Sequence, residues 1–332
     1  MLSMRHKRMV RAASLAYLDA MHLGDALSET SRLARQGPAV SFEFFPPKTE
    51  AGWAPLFRSI ADFAELSPEF VSVTYGAGGT TRDKTHALVL RIRRETSIEP
   101  VPHLTCIGHT KDDVRRILEL YAQNGVETIL ALRGDPPVGA RFHSLGDFQQ
   151  ASDLVRFIRV EGARLGVHGG RGFAIGVAGF PEGHPETPNT LHQLDHLKAK
   201  VDAGADYIVT QLFFDNHAFH DWRERCTLAG IRVPIVAGIM PIPSITGMQR
   251  MADLAAGTRF PAALLSQLTR AGNDARAVED AGIAWAEQQC RDLIAHNIEG
   301  IHFYTLNKSD ATRRICKALN LPCTKSRAQV KV

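Results

Sequence analysis

The chain has 332 residues, 44% of them hydrophobic and 22% charged, with a formal net charge of +4. That balance suits a globular enzyme with a sizeable core. It carries no basic stripe interleaved with aromatics, which excludes the usual nucleic-acid-binding pattern, and no apolar run reaches the roughly 18 residues a membrane-crossing helix needs. The five cysteines (Cys106, Cys226, Cys290, Cys316 and Cys323) are odd in number, far apart and without a C-x-x-C, so neither a disulfide framework nor a zinc knuckle is expected, and a reducing, cytoplasmic setting is.

In chain order, residues 1–37 open basic but lack the apolar core of a secretory signal, and Asp19, Asp25 and Glu29 interrupt the acid-poor pattern of a transit peptide. A partly helical N-terminal extension is expected there. From residue 38 short β-rich runs alternate with longer stretches of helical period. The runs fall at 39–45, 70–75, 101–106, 128–134, 173–181, 207–214, 234–241 and 301–307. Between them lie amphipathic segments such as 111–125, which has Thr110 as a candidate N-cap and Gly125 as a C-terminal stop, and 190–204, which ends at Gly204. Eight strand–helix units point to an α/β fold, a (β/α)8 TIM barrel over 38–320, with extra helices between strands 7 and 8 and a tail at 321–332. The doubly wound alternative lacks its G-x-G-x-x-G after the first strand.

In such a barrel the active site sits at the C-terminal ends of the strands. The polar residues there are Glu43, Thr74, Tyr75, His103, Thr105, Arg133, Gly134, Asp135, His184, Gln211 and Asn307. Glu43 is the outlier: a carboxyl between Phe42, Phe44 and Phe45 is expected to be desolvated, to keep its proton and to serve as a general acid. Asp135 leaves its strand into Pro136 and Pro137, which fix the backbone exit. A competing signal is His192-x-x-Asp195-His196, whose two histidines share one helix face as zinc-hydrolase ligands do.

The runs VSFEFFPPK, FVSVTYGAGG, PHLTC, LALRGDPP, HPE, KVDAGADYIVTQLFFD and HFYTLN follow one another as in the methylenetetrahydrofolate reductases, and the resemblance extends from about residue 38 to about 320. It implies a flavin-containing barrel that reduces 5,10-methylenetetrahydrofolate to 5-methyltetrahydrofolate by ping-pong hydride transfer, with NADH or NADPH as co-substrate and FAD as carrier. By the same resemblance Glu43 is the proton donor, and Asp135 lies beside the flavin. Thr74, Tyr75, Ala77, His103, Arg133, Gly134, Ala151, Phe180, His184, His196 and Lys200 match the cofactor contacts. Gln211 and Lys308 match folate contacts, and the segment 240–251 matches a lid. The partners implied are a folate and a nicotinamide dinucleotide. A flavin-independent reductase and a folate- or pterin-binding barrel without flavin remain alternatives, as does a homo-oligomer, since no charge pattern marks or excludes a subunit interface.

Overall fold

The computed structural model describes residues 21–75, 82–135, 146–255 and 257–321. All eight β-rich runs are strands: β1 (Ala39–Phe44), β2 (Phe70–Val73), β3 (Pro100–Thr105), β4 (Thr128–Leu132), β5 (Ala174–Gly179), β6 (Tyr207–Thr210), β7 (Ile235–Ile239) and β8 (Gly300–Tyr304). They pair in parallel and in sequence order, and β8 pairs back onto β1, so the barrel is closed. Each strand ends before the C-terminal end of the run that announced it, and the residues left over, Gln211 and Asn307 among them, pass into the loops of the mouth. The expected TIM barrel is the fold.

Strand alternation decides what each run does. In β1, Phe42 and Phe44 turn outward and pack on Phe63 of the first outer helix (Trp53–Ala64), with ring centroids 4.1 and 5.6 Å apart. Ser41 and Glu43 turn into the barrel. The phenylalanines beside Glu43 in sequence are therefore not what desolvates it; period 2 places them on the other face of the strand. Its neighbours are inward residues of other strands.

The interior fits large residues against absent ones. A Cβ on Gly176 would lie 2.5 Å from the Tyr207 ring, and one on Gly238 would lie 2.8 Å from the Tyr304 ring and 2.3 Å from the Thr210 carbonyl. Phe70, Val101, Leu130, Ala174, Tyr207 and Val236 fill the N-terminal end of the barrel, and Leu23, Ala26 and Leu27 pack against them. These last three belong to helix α1 (Leu23–Ala26) and its end; α2 (Glu29–Arg35) follows, capped by Ser28. The described part of the extension is thus helical, as expected, and plugs the base of the barrel.

The outer helices follow their sequence signals. The helix Lys111–Gln123 begins at a capping box of Thr110 and Asp113, and Gly125 and Gly204 both take positive φ just past helix ends. Between β7 and β8 stand three helices, Ile245–Leu254, Ala262–Ala271 and Ala275–Ala295. Their apolar faces meet Leu212, Phe214, Met240 and Ile242 just past the ends of β6 and β7, which places the extra helices beside the mouth. Among the described residues no helix is long and apolar enough to cross a membrane.

Gly176→Ala should cost about 1–3 kcal/mol of stability, since the added methyl would overpack the barrel interior against Tyr207. The clashing atoms all belong to the Tyr207 side chain, so adding Tyr207→Val should recover part of the loss. Urea unfolding of the single and double variants measures the coupling; strictly additive effects would contradict this packing.

Candidate active site

Two groups of residues converge at the C-terminal ends of the strands. The first surrounds Glu43. Its backbone is held by β8: the Thr305 hydroxyl donates to the Glu43 carbonyl at 2.7 Å. Two residues on, Asn307 accepts from the Phe45 N–H at 3.0 Å and donates to the Phe45 carbonyl at 2.9 Å. Leu306 and Asn307 both take left-handed φ to make this clasp. Asn307, expected at the pocket rim, is instead bound to the β1 backbone.

The Glu43 side chain is about 20% exposed, and its Oε2 lies 3.5 Å from Nε2 of His103. Burial pushes the carboxyl up from 4.5 to about 7, against a hydrogen bond from Thr74 that pulls it down. Burial pushes His103 down to about 4. The two groups are therefore a neutral acid and a neutral imidazole over much of the acid range, not an ion pair, and His103 Nε2 is buried with no hydrogen-bond partner. Beneath them His302 sits between Ser41 and Ser72, 2.8 Å from one hydroxyl and 3.3 Å from the other, and burial pushes it down to about 3. Tyr304 donates to the Thr210 carbonyl at 2.8 Å beside Gln211, whose amide oxygen accepts from the Leu212 N–H at 2.9 Å.

The second group stands on the β4–β5 side. Gly134 takes φ +80°, and a Cβ there would lie 2.9 Å from Thr105, so the turn after β4 needs glycine on two counts. Arg133 pairs with Glu186. Phe180 and His184 meet edge to face at 4.8 Å. Lys200, on the helix Thr190–Asp202, reaches over to donate to the Ala178 carbonyl at 2.6 Å, 6.0 Å from the Phe180 ring centre. Burial, and then the charge of Arg133, push Lys200 down to about 8. Burial and Arg133 also lower His184, while Glu186 and Asp135 raise it. Asp135 is exposed at this rim.

The Tyr75 side chain is 6% exposed, and its hydroxyl is engaged by His109 and Arg82, each at 3.1 Å. Ala151 is buried at the start of the helix Ala151–Arg164. His192 and His196 are both exposed on their helix, and Lys308 is exposed beyond β8. Met251, in the segment matched to a lid, is buried against the cluster beside the mouth. Ala77, Pro136 and Pro137 lie outside the described residues.

A sequence profile described as methylenetetrahydrofolate reductase matches residues 29–320. The chain belongs to that family. The 5,10-methylenetetrahydrofolate reductase of Escherichia coli K12 is 37% identical over 297 residues, covering 90% of this chain and 96% of that protein. Methylenetetrahydrofolate reductase (NADH) 1 of Arabidopsis thaliana is 40% identical over 294 residues, 85% of this chain but 48% of that protein. Among solved structures, a Clostridium thermocellum protein described as binding two copies of 5-methyl-5,6,7,8-tetrahydrofolic acid superposes with a TM-score of 0.59 at 16% identity, covering 88% of this chain and 96% of that one; the likeness is one of fold.

The residues present fit the flavin dinucleotide that membership of the methylenetetrahydrofolate reductase family implies. Lys200 is a largely enclosed ammonium with no carboxylate at ion-pair distance among the described residues, next to the Arg133 guanidinium, and an anionic diphosphate suits that pair. The orphan Nε2 of His103 offers a further polar contact. Glu186, Tyr304 and His302 were not singled out from the sequence. Glu186 lies in the HPE run, and His302 and Tyr304 were legible as period-2 polar residues inside HFYTLN.

A protonated carboxyl in this barrel has a direct signature. Glu43 and Glu99 are both raised by burial from 4.5 to about 7, so each stabilises the fold fully below about pH 4.5, and that contribution is lost as pH rises through about 7. The infrared carbonyl band of un-ionised carboxyls should fade through that interval. In Glu43→Gln the band should be weaker below pH 7, leaving the share of Glu99 and of Glu182 and Glu299, which burial also raises; an unchanged band would mean that Glu43 is ionised throughout.

Proposed function

We propose that this chain reduces 5,10-methylenetetrahydrofolate to 5-methyltetrahydrofolate, using FAD and a nicotinamide dinucleotide, NADH or NADPH. Family membership supports the reaction. The observation that carries the mechanism is Glu43, a carboxyl lifted to about 7 at the mouth of the barrel.

The methylene group of the substrate bridges two nitrogens in a five-membered ring. Glu43 Oε2 holds the proton that one of these nitrogens needs: as the proton moves to nitrogen, the carbon–nitrogen bond breaks with its electron pair going to that nitrogen. The methylene carbon is left as an iminium on the other nitrogen, open to hydride. FAD, when bound, supplies that hydride after taking one from the nicotinamide. A pKa near the working pH suits a group that must both hold and release a proton. Neutral His103, in contact with Glu43, does not draw the carboxyl into an ion pair, so burial is free to keep it protonated. The Thr305 and Asn307 contacts to β1 hold the acid in register with the mouth. Asp135 adds a negative charge at the same rim, which favours the cationic iminium. Lys200 and Arg133 hold the diphosphate, Phe180 and His184 flank it, and the Gln211 amide offers both donor and acceptor to the pterin ring.

Two measurements test this reading. Heat-extracted cofactor from the purified protein should chromatograph as FAD; FMN in its place would overturn the FAD assignment, and colourless protein unable to take up FAD would favour a flavin-independent reductase or a binding barrel. In Glu43→Gln, NADH or NADPH should still bleach the flavin anaerobically, while reoxidation by methylenetetrahydrofolate should slow by ~10²–10⁴-fold, the usual contribution of a general acid. A loss under about tenfold would assign the proton to water or another group.

A further inference from the structure

We propose that His220, Asp292 and His296 form a binding site for a divalent transition-metal ion of the zinc class on the outer wall of the barrel, away from the mouth. His220 lies on the helix Asn216–Leu228; Asp292 and His296 lie on the last turn and C-cap of the helix Ala275–Ala295. Each offers one ligand atom, and the three atoms lie within 4.8 Å of one another. His220 Nε2 is 2.7 Å from one carboxylate oxygen of Asp292, and His296 Nδ1 is 3.2 Å from the other. Zinc bonds of about 2.1 Å in tetrahedral geometry separate ligands by about 3.4 Å, so only small side-chain shifts are needed.

Several features favour a cation here. Asp292 and His296 stand at i and i+4, one above the other on a helix face, and the third ligand comes from the neighbouring helix. The negative end of a 21-residue helix points at the site. The imidazoles of His220 and His296 have centroids 4.4 Å apart, so protonating both would place like charges in contact, whereas one shared metal ion satisfies both lone pairs. The carboxylate is oriented from behind: Asn216 donates to Asp292 at 2.6 Å, and Gln289 donates to both Asn216 and the Phe213 carbonyl, at 3.2 and 3.1 Å. His220 Nδ1 is buried with no hydrogen-bond partner, so the ring proton belongs on Nε2, against the Asp292 carboxylate, and a metal ion bound there takes the place of that proton.

A groove of about 400 Å³ lined by His220, Arg223, Glu224, Thr227 and His296 leaves room for water to complete the coordination. Arg223 is the one opposing charge on that lining, and its guanidinium is tied to the His296 carbonyl by two contacts of 3.1 Å, with Glu224 beside it. Two nitrogens and one oxygen select zinc, cobalt, nickel or copper over magnesium or calcium, which take oxygen ligands. Bound there, the ion clips the helix after β6 to the helix before β8.

The test uses the full-length purified protein, stripped with chelator and titrated with Co²⁺, whose visible bands report coordination, and then with Zn²⁺ by calorimetry. One ion per chain is expected, with binding at least about tenfold weaker in His220→Gln and in His296→Gln. Zn²⁺ should raise the melting temperature of the parent but not of the variants. His296 is more than half exposed, so His296→Gln decides the matter even if His220→Gln folds poorly, and reductase activity should be unchanged in it. No Co²⁺ spectrum at about millimolar metal, or equal affinity in parent and His296→Gln, overturns the proposal.

Discussion

The seam between β8 and β1 is the contact on which the rest of the molecule depends. A parallel barrel has no hairpin to bring its last strand to its first, so closure rests on side chains and register. Here the register pairs Ser41 with His302 and Glu43 with Tyr304. Thr305 and Asn307 then extend the join beyond the last ladder hydrogen bond, gripping the backbone on either side of Phe44. The left-handed pair Leu306–Asn307 is sterically unfavourable by itself and persists because the clasp over-determines it. The same grip that closes the cylinder also aims the carboxyl.

Around the mouth, charge is segregated. The axis holds groups that burial keeps neutral: Glu43 protonated, His103 and His302 without their extra protons. The β4–β5 wall holds the cations Arg133 and Lys200, with Glu186 and Asp135 nearby. A neutral, weakly solvated axis suits proton transfer, because a low dielectric penalises ionisation until the substrate nitrogen takes the proton. A cationic wall suits an anion. Separation of the two keeps Lys200 from pulling the proton off Glu43.

Most of this was legible in the sequence, for a physical reason. Barrel strands are apolar on both faces except where the inward face meets ligand, so polar residues near the ends of apolar runs mark the site. That is why Glu43, His103 and Arg133 stood out. What the sequence misled on was the environment of single residues. The phenylalanines beside Glu43 suggested the right pKa direction by the wrong neighbours, since alternation puts them behind the strand. Asn307 shared the polarity of a ligand contact but binds backbone. Burial and partner choice come from residues tens to hundreds of positions away, as with Asn307 and Phe45, 262 apart. The helical H-x-x-D-H likewise drew attention to exposed His192 and His196, while the three ligand-type side chains that meet in space are divided between two helices.

The plug at the base has a kinetic meaning. Leu27 and Tyr207 are fully buried and Phe70 is 1% exposed, so the cylinder is a blind well, dry at its foot. His302 and His103, neutral down to about pH 3 and 4, make poor stepping stones for a proton travelling along the axis. Under the proposed reaction, an acid at the top of such a well takes its proton from the side on which the folate arrives and departs. Under the same reaction, refilling Glu43 is then tied to departure of the product from the mouth.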